Sequence, residues 1–183
     1  VQKNINKVKI INLDNSVDTS KVIQEAEKND DKDFIIAGGD GTINFFLNDL
    51  INTIDSKEIV KYKIGAIGIG SSNDFHKPGH NENLINGIPT KINFNSCEQR
   101  DVGMIKYKVG SEFFHKYFLL NASMGVTAEA NNLFNNPDAV LKFLKKHITG
   151  LAILYAAFRT IFSYSNFEAK IIFDSYETYS FNI

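Results

Sequence analysis

The chain has 183 residues, of which 43% are hydrophobic and 22% charged, with a formal net charge of −1. That length suits one domain or two small ones, each able to bury a core. The even charge balance gives no basis for broad electrostatic binding of nucleic acid or of an anionic membrane. The chain opens on a polar stretch, VQKNINK, after which Lys7 to Leu13 predicts a strand. Asp18, Thr19 and Ser20 offer N-cap chemistry for a helix over SKVIQEAEKN. Asp33 to Ala37 predicts a short buried strand that stops at two glycines. Apolar residues then fall at Ile43, Phe46, Leu47, Leu50, Ile51 and Ile54, one stripe of an amphipathic helix. Lys63 to Ile69 predicts another strand, and it too ends in a glycine loop, GIGSSNDF.

Strand and helix thus alternate through the first half of the chain, the signature of a parallel sheet with helices on its faces. The pattern then changes. Arg100 to Val109 and Phe113 to Asn121 predict a hairpin turning at Gly110 and Ser111. Helical spacing returns from Ala128 to Phe134, from Pro137 to Ile148 and from Gly150 to Phe162. Phe167 to Phe173 alternates as a strand, and the chain closes on the strand-like SYETYSFNI. A domain boundary is expected near residues 90 to 100, dividing the chain into 1–95 and 96–183. Both ends read as cut, so a longer parent protein is expected.

The two glycine loops carry the chemistry. In open sheets of this class, ligands bind beyond the carboxyl ends of the strands. Gly38 and Gly39 permit a tight turn with outward-facing amides, and the following helix presents unpaired N–H groups and a positive dipole end. That combination suits a phosphate, and Thr42 can cap the helix or bond a phosphate oxygen. Asp40 is the odd residue, because a carboxylate repels phosphate. It makes sense if Mg²⁺ lies between them, or if it orients or deprotonates an attacking hydroxyl; the plain alternative is a helix cap. In the second loop Gly70, Ser71, Ser72 and Asn73 can serve phosphate or a nucleoside, with Asp74 as a further candidate. The plain alternative there is a capped SSND turn. Neighbouring strands lie ~4.8 Å apart, so two such loops can face one ligand.

The residues GGDGT at Gly38 to Thr42 and GIGSSNDF at Gly68 to Phe75 resemble the paired signatures of the diacylglycerol kinase catalytic-domain family. This superfamily includes bacterial soluble lipid kinases and sphingosine kinases. RDVGMIKY at Arg100 to Tyr107 and FLLNASMGVTAE at Phe118 to Glu129 resemble later segments of the same family in the same order. The resemblance implies an N-terminal α/β ATP-binding domain and a C-terminal β-sandwich with helical insertion, here incomplete. It implies that Gly38, Gly39, Asp40, Gly41, Thr42 and Asn44 line the ATP phosphates, with Gly70, Ser71, Ser72 and Asn73 completing the nucleotide site. Asp40 would be catalytic, acting through Mg²⁺ or its water, and Asp74 and Lys77 would be further cleft residues. The implied activity is transfer of the γ-phosphoryl group of ATP to a lipid hydroxyl such as diacylglycerol, in a cytoplasmic enzyme peripheral to the membrane. Two alternatives stand beside it: a kinase of the NAD kinase type, and a nucleotide-binding module without catalysis.

The sequence departs from the family pattern in places. Ser71 replaces a threonine, Phe45 a glutamate, and His76-Lys77 an Ala-Arg pair; Lys77 keeps the charge but loses the bidentate fork. The family's first strand with its Asn-Pro loop is missing, and its general base and metal-supporting acids would lie beyond Ile183. Paired sandwich edges make a homodimer a candidate.

The remaining residues have plainer readings. Cys97, the single cysteine, rules out an internal disulfide and a cysteine-cluster metal site, and reads as a small buried residue of a reducing compartment. His76 reads as a partly exposed turn residue, and His115 and His147 as structural. Lys142, Lys145, Lys146 and His147 read as a solvated helix face. The stripe LAILYAAFRTIF reads as core, with a lipid-pocket wall as the alternative; Leu151 to Phe158 is too short to span a bilayer. Glu129 could face the cleft.

Overall fold

The computed structural model describes residues 8–13, 17–77, 83–166, 168–172 and 178–182. The chain forms two compact units, Val1–Asn121 and Ala122–Ile183.

In the first unit, helix α1 (Thr19–Lys28) starts where Asp18 accepts hydrogen bonds from the amides of Ser20 and Lys21, at 3.1 and 3.4 Å. It ends on Asp30, at φ 59°, with Asp31 N–H bonded back to the Ala26 carbonyl. Strand β1 (Asp33–Gly38) leads into helix α2 (Asp40–Thr53), and β2 (Lys63–Gly68) follows. Strands β1 and β2 are parallel and in step, from Asp33 opposite Lys63 to Gly38 opposite Gly68. The α2 stripe faces inward: Ile43, Phe46, Leu50 and Ile54 form one core with Ile23, Ile36 and Ala66. Each such side chain contributes ~1.5–3 kcal/mol by burial, which holds α2 against the strands.

Two features of the sheet differ from the parallel pattern the sequence predicts. Residues 8–13 form no regular element, and Lys7 lies outside the described residues. A hairpin the periodicity did not show, β3 (Asn83–Ile85) and β4 (Ile88–Lys91), completes the sheet in the order β1-β2-β4-β3, with β4 antiparallel to β2. The fold is therefore mixed α/β, with one parallel pair, β1 and β2. The hairpin turns on Asn86 and Gly87, at φ 52° and 79°, the left-handed pair a two-residue turn needs.

Strands β5 (Gly103–Val109) and β6 (Glu112–Phe118) make the expected hairpin. It belongs to the first compact unit, so the expected boundary between 95 and 96 falls inside that unit. Cys97 is exposed rather than buried.

The second unit holds helices α3 (Val126–Asn135), α4 (Ala139–His147) and α5 (Thr149–Ser163), then an antiparallel pair, β7 (Glu168–Ile172) and β8 (Thr178–Asn182). Phe167 and Phe173, the ends of the predicted strand, lie outside the described residues. Asp138 caps α4, accepting the Leu141 amide at 2.7 Å, and also accepts the Tyr155 hydroxyl at 3.2 Å and pairs with Arg159. The α5 stripe is not plain core. Its small residues Ala152, Ala156 and Thr160 are buried, whereas Leu151, Leu154, Phe158 and Ile161 are exposed. Small side chains at i, i+4 and i+8 let a neighbouring helix approach closely. Of the basic group on α4, Lys142, Lys146 and His147 are exposed, while Lys145 donates to the Phe134 carbonyl at 2.8 Å.

Candidate functional site

Because β1 and β2 end level at Gly38 and Gly68, both glycine loops leave the sheet side by side. They then meet backbone to backbone. A Cβ added at Gly70 would fall 2.4 Å from the Gly39 Cα, and one at Gly39 would fall 3.1 Å from the Gly70 Cα. These two glycines are required by the contact of one loop with the other. Gly38 makes room for the Thr42 side chain, and Gly68 for the ring of His76 and for Pro89. Gly41 differs: nothing lies within 4 Å of a Cβ placed there. No neighbour in the chain demands a glycine at that helical position.

Asp40 opens α2 and turns across to the second loop. Its Oδ2 accepts the Asp74 N–H at 3.0 Å, and its Oδ1 accepts the Phe75 N–H at 2.9 Å. The carboxylate therefore caps the short 3₁₀ turn Asp74–His76 instead of its own helix, whose N-cap is Gly39. Bonds of this charged kind contribute ~1.5–3 kcal/mol each. Asn73 closes the loop from within, at φ 54°: its Oδ1 accepts the Gly70 N–H at 2.9 Å, and its Nδ2 donates to the carbonyls of Gly68 and Gly70. Lys91 on β4 donates to the Phe75 carbonyl at 2.8 Å. His76 is buried, contrary to the sequence reading, with its ring edge-on to Phe75.

The predicted site residues thus separate into groups. Asp40, Gly41, Asn44 and Asp74 line one cavity of ≈ 230 Å³, together with Ile43, Phe75 and Leu119 to Asn121. Gly38, Gly39, Gly70 and Asn73 build the loops that frame it. Thr42 and Ser71 are exposed and do not line it, and Ser72 donates to Asp74 Oδ1 at 2.8 Å. Lys77 pairs with the same oxygen. Phe45, where the family has a glutamate, is exposed, as are Glu129 and His115. Sequence reasoning passed over Lys91, the apolar wall at Leu119 and Leu120, and Asn48, a buried amide on α2 bonded to β6. The Asn86-Gly87 dipeptide was the one available signal for the hairpin that carries Lys91.

The Lys77 hydrogen bond, followed by that of Ser72, holds the Asp74 carboxyl below the usual carboxylate range. Its folded pKa lies below the unfolded one, so this link contributes above the ordinary carboxylate pKa and is lost as pH falls through the depressed value. Lys77→Met is expected to move the Asp74 titration upward, read from its carboxyl carbon shift; an unmoved titration would remove Lys77 as the cause.

Residues 1–105 match the sequence profile of the diacylglycerol kinase catalytic domain. The chain belongs to this family. No curated protein and no solved structure matches the chain. Membership in the diacylglycerol kinase family makes kinase-type phosphoryl transfer the general chemistry of the chain. Among the described residues, no group of three or more His, Cys, Asp or Glu stands together as a metal cage, and no helix is long and apolar enough to cross a membrane.

Proposed function

We propose that the chain is the ATP-binding part of a lipid kinase that transfers the γ-phosphoryl group of ATP to a lipid hydroxyl such as that of diacylglycerol. Residues 1–95 form its nucleotide domain in this reading, and 96–183 belong to the acceptor-side domain. The observation that carries it is Gly41. It stands at the N-terminal turn of α2, with nothing within 4 Å of a Cβ placed there, and lines one cavity with Asp40, Asp74, Leu119 and Leu120. A glycine in a helix costs ~0.5–1 kcal/mol relative to alanine, and no internal contact requires it here. Close approach by phosphate supplies the missing reason.

Within this reading the α2 amides and the outward face of Gly41 hold the polyphosphate, and Asn44 donates to it. Asp40 and Asp74 would hold Mg²⁺, directly or through water. Each Asp40 oxygen accepts one amide and keeps a second lone-pair direction, and Mg²⁺ is commonly held by one or two carboxylates plus substrate phosphates. The ion would neutralise the charge that develops on the phosphates. The acceptor oxygen attacks the γ-phosphorus, the bond to the β–γ bridging oxygen breaks, and the hydroxyl proton leaves to a base. Leu119 and Leu120 give the cleft an apolar lining on one side. A cytoplasmic enzyme working at the membrane surface, as a homodimer, belongs to the same proposal.

The test is label transfer by the protein from γ-labelled ATP to diacylglycerol in mixed micelles. Labelled phosphatidic acid is expected. Transfer to soluble NAD instead would establish the NAD kinase alternative, and nucleotide binding without transfer to either would establish a non-catalytic module.

A further inference from the structure

Asp40, Asn44 and Asn48 fall at i, i+4 and i+8 along α2 and so share one face of that helix. Asp40 reaches the second glycine loop, Asn44 lines the cleft, and Asn48 meets strand β6. Asn48 is only 6% exposed. Its Oδ1 accepts the Tyr117 N–H at 2.9 Å, while its Nδ2 donates to the Tyr117 carbonyl at 2.9 Å and to the Asn44 carbonyl at 2.8 Å. One carboxamide thus matches both backbone groups of one strand residue, as a neighbouring strand would. Tyr117 is two residues before Leu119, where the chain becomes the wall of the cleft. The same amide is bonded, through Asn44, to the helical turn that carries the cleft's other side.

We infer that Asn48 is a positioning residue that fixes the wall Leu119 to Asn121 against the N-terminal turns of α2. Its effect on ligand rests on the lipid-kinase reading; its effect on the wall does not. An apolar residue of similar size would pack in the helix but leave the Tyr117 N–H and carbonyl unpaired, so the strand end would lose its register with the cleft.

The experiment compares Asn48→Ala and Asn48→Asp with Ile54→Ala, a core substitution on the same helix, by amide hydrogen exchange and by titration with a fluorescent ATP analogue in the full chain. The Asp variant keeps shape and acceptor but removes the donor, and carries the comparison if the Ala variant fails to fold. Exchange at Tyr117 and Phe118, the strand end that leads into the wall, is expected to accelerate at least tenfold in both Asn48 variants, with Ile36 and Ala66 unchanged and nucleotide affinity lowered severalfold. Ile54→Ala is expected to lower protection throughout without singling out this segment. Unchanged exchange at Tyr117 and Phe118, or uniform loss as in Ile54→Ala, would each overturn the inference; a loosened strand end with wild-type affinity would uphold it and remove only the effect on ligand. If the wild-type chain binds no nucleotide, the lipid-kinase reading fails, and the exchange comparison still decides whether Asn48 holds the wall.

Discussion

Asp40→Asn is expected to abolish phosphoryl transfer and, at the same time, to loosen the second glycine loop. Both carboxylate oxygens accept backbone amides, from Asp74 and Phe75. An asparagine keeps one acceptor and sets an NH₂ group against the other N–H, so a bond is replaced by two opposed donors. The loss in stability is expected at about 1–3 kcal/mol, the range for a buried donor left unpaired. Transfer should fall by roughly 100-fold or more, because the same change removes negative charge from the cleft and displaces Asp74. A purely chemical role, which the sequence alone suggests, predicts an intact fold. Urea unfolding and amide exchange at Asp74 and Phe75 separate the two. Wild-type protection at both amides in an inactive mutant would confine Asp40 to the chemistry.

The second large effect is a contrast between two glycines in the paired loops. Gly70→Ala puts a methyl group 2.4 Å from the Gly39 Cα, a backbone atom with no side-chain freedom to move aside. The loops would have to part, at a cost of about 1–3 kcal/mol or more. Gly41→Ala meets nothing within 4 Å and gains helix propensity, so it should stabilise the protein by about 0.5–1 kcal/mol. The same methyl group would stand where phosphate approaches, and nucleotide affinity is expected to drop by roughly tenfold, about 1.4 kcal/mol. Thermal melts and a nucleotide titration read both quantities. A more stable Gly41→Ala with wild-type affinity would mean that no ligand comes close to this turn. A Gly70→Ala as stable as wild type would refute the close contact of the loops.

The legible parts of this fold are those set by local spacing. The apolar stripe from Ile43 to Ile54 identified both α2 and its buried face, and the two strands ending in glycine placed the loops at one sheet edge. What spacing does not contain is the long-range partner of a polar side chain. Asp40 looked like a ligand for phosphate chemistry or a cap for its own helix, and it caps a turn 34 residues away. Asn48 drew no notice on a helix, since nothing local marks a strand edge 69 residues on. His76 was misjudged because the space beneath it exists only where Gly68 lacks a side chain. Val8 to Leu13 alternates adequately for a strand, but strand formation depends on finding a pairing edge, and the described segment has none. On α5 the helical spacing holds, but the stripe read as core is buried only at its small residues, Ala152, Ala156 and Thr160, and the large ones lie outside.

Binding of ATP at the paired glycine loops is measured directly by backbone amide shifts recorded during titration with ATP and Mg²⁺. The largest changes are predicted at Gly39 to Asn44 and Gly70 to Asp74, with smaller ones at Leu119 to Asn121. Saturable shifts confined to other residues, with these loops unmoved, would contradict it.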